Sequence, residues 1–282
     1  MRNDKSLRGN VNAIDKINDI RLSLNSQAGN SLVWILVEGE DDCKIYPKFV
    51  KEEKCKVEYV NGGKIQLEKA LQVLTSISNQ VIGIRDADFS HIEKKYSQIK
   101  NLFYTDFHDI EMTMLNFNTV RSNLFLEYGI KEGSDVWNKI LLEASFLAYI
   151  RWFSEQGIHE FLFKGLKLGS VVDLQKDEVL LKKRELIDEL NRRSTNKKVS
   201  LSFEMISDFI DKNKTDDFLN LCNGHDVTSL FALFLGKKAT VNEFCRHLRL
   251  SFQLKDFAKT KLYSDIYSWQ TTNGFDILRI VA

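Results

Sequence analysis

Four short apolar stretches in the first half of the chain each run straight into a turn rich in functional side chains. Val33-Trp34-Ile35-Leu36-Val37 leads into Glu38, and Val57-Glu58-Tyr59-Val60 into Gly62-Gly63-Lys64. Val81-Ile82-Gly83-Ile84 leads into Asp86 and Asp88, and Leu102-Phe103-Tyr104 into Asp106. The segments between them are long enough for helices. Alternation of strand and helix at this spacing yields right-handed βαβ units and a mostly parallel sheet. Parallel strands point their carboxyl ends to one edge, where ligands of open α/β sheets bind. Glu38, Asp86, Asp88 and Asp106 are therefore expected on a single rim. Crowded carboxylates repel one another and need a cation, or Lys and Arg, beside them. An oxygen-only donor set favours Mg²⁺ or Mn²⁺, so metal-dependent phosphoryl chemistry is the first expectation.

The expected order is a helix within 11–30 stopped by the turn-like Gln27-Ala28-Gly29-Asn30, then a strand at 32–37. A short or kinked helix follows over 41–53, because it holds the chain's one proline, Pro47. Then come strand 56–60, helix 65–77, strand 80–85, a short helix near 91–97, strand 101–105 and a helix from about 109. Beyond residue 120 apolar residues recur every three or four positions, as in Trp137, Ile140, Leu141, Phe146, Ile150 and Phe153. Similar runs at 177–191, 202–211, 227–235 and 241–250 predict a mainly helical second half. A hairpin from Phe161-Leu162-Phe163 to Ser170-Val171-Val172 is expected to interrupt it. The fold class is thus α/β. Its parts are an N-terminal helix plus α/β domain over 1–118 and a mainly helical region over 119–282.

With 282 residues, 43% of them hydrophobic, the chain can bury a large core, and no stretch approaches the length of a membrane helix. The polar segment 1–10 lacks the apolar centre of a secretory signal. Cys43, Cys55, Cys222 and Cys245 share no CxxC spacing, which points to free thiols and a reducing cytoplasm. A net charge of +1 excludes a strongly basic nucleic-acid coat protein but not a local groove. Lys182-Lys183-Arg184, Arg192-Arg193 and Lys197-Lys198 read as a solvated helix face and loop in preference to a phosphate-binding strip.

Glu38 stands at a strand end before Gly39, which lets the chain turn sharply. Asp41 and Asp42 either cap the next helix or join the rim. Asp86-Ala87-Asp88 would put two carboxylates on one side of an extended chain, one binding a metal directly and the other through water. Asp109 is a plausible N-cap, Glu111 could face the rim from the first helical turn, and His108 reads as a polar surface residue. Gly62-Gly63-Lys64 offers backbone N–H groups and a point charge to an anion, without the spacing of a P-loop. In Asn223-Gly224-His225-Asp226, Gly224 would end one helix and Asp226 cap the next, with the alternative that His225 and Asp226 reach the rim.

Together, Glu38-Gly39 after a buried strand, Gly62-Gly63-Lys64 and Asp86-x-Asp88 resemble the Toprim domain of topoisomerases, DnaG-type primases and OLD-family nucleases. The string from Thr105 through Asp106 to Glu111, with Asn223-Gly224-His225-Asp226, resembles the DUF4435 branch. That branch includes the Toprim effector of PARIS anti-phage defence, which is paired with an ABC-type ATPase. The Toprim resemblance spans roughly 30–115, and the DUF4435 resemblance extends over most of the chain. It implies Mg²⁺-dependent phosphodiester cleavage of nucleic acid, DNA or RNA including tRNA. Glu38 would serve in acid–base work or metal binding, Asp86 and Asp88 would hold the metal, and Asp42 would match a further acidic residue of OLD-like nucleases. Lys64 would orient a phosphate, with Asp106, Glu111, His225 and Asp226 as accessory residues. The implied partner is an ATPase, since no Walker A motif occurs here, and a homodimer is one assembly open to the chain.

The chain has no recognisable tyrosine domain for strand passage and no zinc or polymerase module. Two rivals stand beside the nuclease. A DxD phosphotransferase would need a nucleophilic aspartate on its first strand, where Glu38 sits instead. A Toprim-type scaffold could also bind its ATPase without cleaving anything.

Overall fold

The computed structural model describes residues 13–26, 31–131, 133–175 and 178–281. The expected turn at Gln27–Asn30 and the polar segment 1–10 lie outside them. The chain opens with α1 (Ala13–Leu24), β1 (Val33–Val37), β2 (Cys55–Tyr59), α2 (Gly63–Thr75), β3 (Val81–Arg85), α3 (Ser90–Glu93) and β4 (Leu102–Tyr104). There follow α4 (Ile110–Asn116), α5 (Asn118–Tyr128), α6 (Val136–Gly157), β5 (Val172–Gln175), β6 (Glu178–Leu181), α7 (Lys183–Arg193) and α8 (Phe203–Asn213). The chain closes with α9 (Phe218–Leu221), α10 (Gly224–Leu235), α11 (Val241–Ser251), α12 (Leu254–Phe257) and α13 (Lys261–Asn273). The protein is α/β, an all-parallel four-stranded sheet flanked by helices, with a helical C-terminal half. None of the described helices is long and apolar enough to cross a membrane.

Contacts group the chain into two compact units. The first comprises the chain through Ala87, Lys95–Asp106 and Phe252 onward; the second comprises Asp88–Lys94 and Phe107–Ser251.

In the first unit the sheet order is β2-β1-β3-β4. Val33 to Val37 pair with Cys55 to Tyr59, Trp34 to Leu36 with Val81 to Gly83, and Gly83 to Arg85 with Leu102 to Tyr104. β1 is buried at all five positions, as expected of a central parallel strand covered on both faces. One face packs Trp34 and Leu36 against Ile20 and Leu24 of α1 and Leu67, Leu71 and Leu74 of α2. Between β1 and β2 the proline does what its ring dictates. It stands in a 3₁₀ turn (Tyr46–Phe49), and the expected helix over 41–53 is only two such turns. Phe49 from that turn stacks on Phe257 of α12 with ring centres 4.4 Å apart.

In the second unit α6 is the spine. It is apolar on nearly every side, and Ile140, Ala144, Leu147 and Ile150 are among its buried residues. Phe231 of α10 stacks with Trp137 and Phe244. The hairpin lies further along the chain than expected. It is β5 with β6, antiparallel, with Val172 opposite Leu181, so the run at 177–191 starts as a strand before becoming α7. Phe161-Leu162-Phe163 is irregular; the amide of Leu162 donates to Ser194 Oγ at 2.8 Å. Short alternating apolar runs do not by themselves identify which segment will find a strand partner.

Candidate functional site at the carboxyl ends of the first-unit strands

A sheet ordered 2-1-3-4 reverses direction between β1 and β3. From β1 the chain moves outward to β2, then crosses back over β1 to β3. Such a reversal leaves a crevice outside the carboxyl ends of those two strands. Glu38 follows β1 and Asp86 follows β3, so both stand at this reversal. They meet there: Glu38 Oε1 accepts a hydrogen bond from the Asp86 amide at 3.1 Å. The Glu38 side chain keeps 18% of its surface exposed, so the group is fixed without being sealed from solvent.

Arg85, the last residue of β3, supplies the positive charge. Its Nη1 donates to Glu68 of α2, its Nε lies 3.9 Å from Glu38 Oε1, and its guanidinium lies over the Tyr104 ring. The Arg85 side chain is 11% exposed, so these carboxylates act on it with little solvent screening. Sequence reasoning missed both Arg85 and Glu68. The available signal was a basic residue next to the DxD in a strand otherwise apolar.

The neighbouring turns follow from their residue types. Gly62 and Gly63 have φ of 106° and 64°, left-handed values that glycine adopts without steric cost, and Gly63 opens α2 with Lys64 in its first turn. Lys64 is half-buried. Asp42 Oδ2 accepts from the Gly39 amide at 2.9 Å, closing the turn after Glu38, while Asp41 pairs with Lys44 at 2.8 Å. Asp42 thus braces the loop that carries Glu38.

Asp88 departs from the expected extended geometry. β3 ends at Arg85, and Asp88 has φ of 47°, so the two-residue alternation of a strand does not carry through to it. Asp88 falls in the second unit, where its amide donates to His108 O at 2.7 Å. A non-glycine residue in this region costs about 1–3 kcal/mol and persists only where its surroundings fix it.

The remaining expectations divide. Asp106 is an N-terminal cap: its carboxylate accepts from the amides of Lys261 and Leu262 at the start of α13, at 2.7 and 2.8 Å. His108 is 2% exposed, not a surface residue, with Nδ1 3.2 Å from Asn220 O and its ring edge-on to Phe89. Asp109 caps α4 as expected, through Met112 N at 2.9 Å, and also accepts from the Gly224 amide. Glu111 is buried within α4. Gly224 opens α10 where it was expected to close a helix, and the cap is Asn223, not Asp226. Asp226 instead makes a two-pronged ion pair with Arg151 of α6, at 2.6 and 2.9 Å. His225 is exposed.

The close approach at Gly224 is decisive for that corner. A Cβ there would lie 2.4 Å from both Asp109 Oδ1 and Glu111 Cβ. Gly224→Ala is therefore expected to destabilise the second unit by about 2–3 kcal/mol, the upper range for overpacking. Urea unfolding would check it, and an unchanged midpoint would refute the close packing.

Cys43, Cys55 and Cys222 add no nucleophile. All four cysteines are free, and burial pushes Cys43 and Cys55 up to about 12. Burial also raises Cys222 well above the ordinary thiol range, with Asp226 and Asp109 adding to it. Thiolate is scarce at neutral pH under those conditions.

As a metal site, the crevice offers the right donor type: the Glu38 carboxylate, a hard oxygen ligand, is held against the backbone amide of Asp86, which carries a second carboxylate. Among the described residues no group of three or more His, Cys, Asp and Glu side chains stands ready to enclose a metal. Mg²⁺ is commonly held by one or two carboxylates with waters and substrate phosphates completing the shell, and this donor set fits that mode.

No family model matches the chain, and no curated protein or solved structure was found to be similar to it. The Toprim and DUF4435 resemblance therefore rests on the motifs and their order.

Proposed function

We propose that the chain is a Mg²⁺- or Mn²⁺-dependent nuclease of Toprim type, a toxic cytoplasmic effector of anti-phage defence governed by a partner ATPase. The observation that carries the chemical part is the meeting of Glu38 and Asp86 at the reversal of the sheet. The defence role and the ATPase rest on the motif resemblance alone.

Glu38 and Asp86 would hold the cation, with Asp88 two residues further along the chain. When bound, such an ion lowers the pKa of a ligated water and stabilises charge on a phosphodiester oxygen. Glu38 is fixed by the Asp86 amide and poised to take or give a proton. Asp42 holds the Gly39 turn and so the direction in which Glu38 leaves β1. Lys64, at the amino end of α2, supplies a charge for a phosphate oxygen, where the helix dipole also favours an anion. Arg85 balances the carboxylates before substrate arrives.

One observation favours a second reading. Arg85 beside Glu38 and Glu68 already provides charge compensation of the kind a cation would bring. A scaffold that binds an ATPase without cleaving nucleic acid would need no more.

Titration calorimetry separates the two. The wild-type chain is expected to bind Mg²⁺, and Asp86→Asn and Asp88→Asn to weaken that binding tenfold or more while changing nucleic-acid affinity less. An amide keeps the carboxylate's shape but lacks the charge that holds a hard cation. Unchanged metal affinity in both variants would sink the assignment. Incubation of the wild type with DNA, RNA and tRNA, with and without Mg²⁺, tests cleavage directly.

A further inference from the structure

The three basic clusters of the second half do not behave alike. Lys182 pairs with Glu185 at 3.5 Å, while Lys183 and Arg184 lie over the rings of Phe146 and Phe203. That cluster is absorbed by its own surroundings. The residues further along are stitched to a different segment, the loop after α6. Lys198 N donates to His159 O at 3.2 Å, Leu162 N to Ser194 Oγ at 2.8 Å, and Arg193 Nη2 to Lys164 O at 2.9 Å. Segments 158–167 and 191–198 thus form one surface of the second unit.

This surface carries Lys164, Lys167, Arg192, Arg193, Lys197 and Lys198 against one acid, Glu160. Arg192 is neutralised by Glu189, at 2.8 Å. The others keep their charge. Arg193 and Lys197 hold backbone carbonyls: Lys164 O for the first, Asn191 O and Ser194 O for the second. Carbonyls orient a cation without cancelling it. Lys164, Lys167 and Lys198 are exposed, and no ion pair to any of them occurs among the described residues. Gly165, with φ of 77°, makes the turn that sets Lys164 and Lys167 on either side of it.

We propose that this surface docks the phosphodiester backbone of nucleic acid. The inference rests on the nuclease reading above and assigns part of its substrate binding to the second unit. Five uncancelled cations on two adjoining segments match a polyanion with regularly spaced charges, and they would meet phosphates, hence bind independently of sequence. A lipid surface fits less well. Membrane-surface binding draws on an amphipathic helix with a broad apolar face, whereas these segments are largely loop, Phe161 is buried, and Ile158 and Leu162 are their exposed large apolar side chains.

The test uses the full chain with chelator present, so that cleavage does not enter. Short labelled single-stranded and duplex DNA and RNA are titrated with wild type and with the triple variant Lys164→Glu, Lys167→Glu, Lys198→Glu, after matched melting temperatures show both are folded. Binding by the variant is expected to be at least about tenfold weaker at low salt. The slope of log affinity against log salt should fall by about 0.9 on duplex DNA, and about 0.7 on single strands, for each phosphate that the variant leaves without a cation. Failure of the wild type to bind any of these probes, or equal affinity and slope in both proteins, overturns the proposal. So does a variant that loses binding only to phosphatidylserine vesicles. Cleavage by the wild type with Mg²⁺ restored is scored separately: its absence strikes the nuclease reading, while weaker binding by the variant still supports the surface.

Discussion

Glu38→Ala is expected to lower nucleic-acid cleavage by at least about a hundredfold, the scale on which a positioned acid–base group contributes. In cells, toxicity and defence should disappear with it. The structure adds a stability cost that a bare rim carboxylate would not carry. Glu38 Oε1 accepts from the Asp86 amide and lies near Arg85, so alanine removes an acceptor from a half-buried N–H. That cost is about 1–2 kcal/mol, because a hydrogen bond to a charged group is worth more than a neutral one and solvent reaches this group in part. Glu68 stays bonded to Arg85 in the variant, so the guanidinium is not left uncompensated. Glu38→Gln separates the two effects. The amide oxygen can still accept from Asp86 N, so the melting temperature should stay near wild type, while the missing charge and basicity should remove cleavage as fully as alanine does. A folded glutamine variant with full activity would take Glu38 out of the mechanism.

The four strands of the parallel sheet were legible because each is a short apolar run ended by turn residues, and each found its place within a residue or two. β1 spans Val33–Val37 against an expected 32–37, and β3 spans Val81–Arg85 against 80–85. The meeting of Glu38 and Asp86 was legible only as a shared rim. Their hydrogen bond depends on β1 and β3 being neighbours, which tertiary pairing decides. Asp106 shows the limit most plainly. Its partners are amides 155 and 156 residues away at the start of α13, and no local pattern announces a cap supplied from so far along the chain. His108 looked polar and turned out buried, because its ring nitrogen is satisfied by a carbonyl of α9 and its ring packs edge-on to Phe89. Asn223-Gly224 carried conflicting signals. Glycine commonly ends helices and asparagine commonly starts them, and packing against Asp109 and Glu111 decided for the start. Arg151 was the missed clue: a single cation in the apolar run Ala144–Phe153 must be buried with a partner.

That partner is Asp226, and Asp226→Ala is expected to cost about 3 kcal/mol. As a simple helix cap the residue would be worth roughly 1 kcal/mol, but Asn223 supplies the cap and the substitution leaves it in place. What alanine removes is one half of an ion pair with two N–H···O bonds, its side chains 23% and 10% exposed. Exposed pairs of this kind contribute about 0–1 kcal/mol, whereas breaking a buried one costs about 3–5. The partial exposure of Arg151 places the expectation at the lower end of that range. Arg151 would keep the ring of Phe163, 4.4 Å from its guanidinium carbon, as its remaining neighbour. A smaller contribution goes as well, since a carboxylate in the first turn of α10 favours the helix dipole. Arg151→Met should destabilise to a similar degree by stranding Asp226. Arg151→Met with Asp226→Ala should be milder than the sum of the singles, because it leaves no unpaired charge behind. Urea unfolding of the four proteins completes the cycle. Additive effects of about 1 kcal/mol each would reduce the pair to an incidental surface pairing. A folded Asp226→Ala protein with undiminished stability but without activity would return the residue to the functional site.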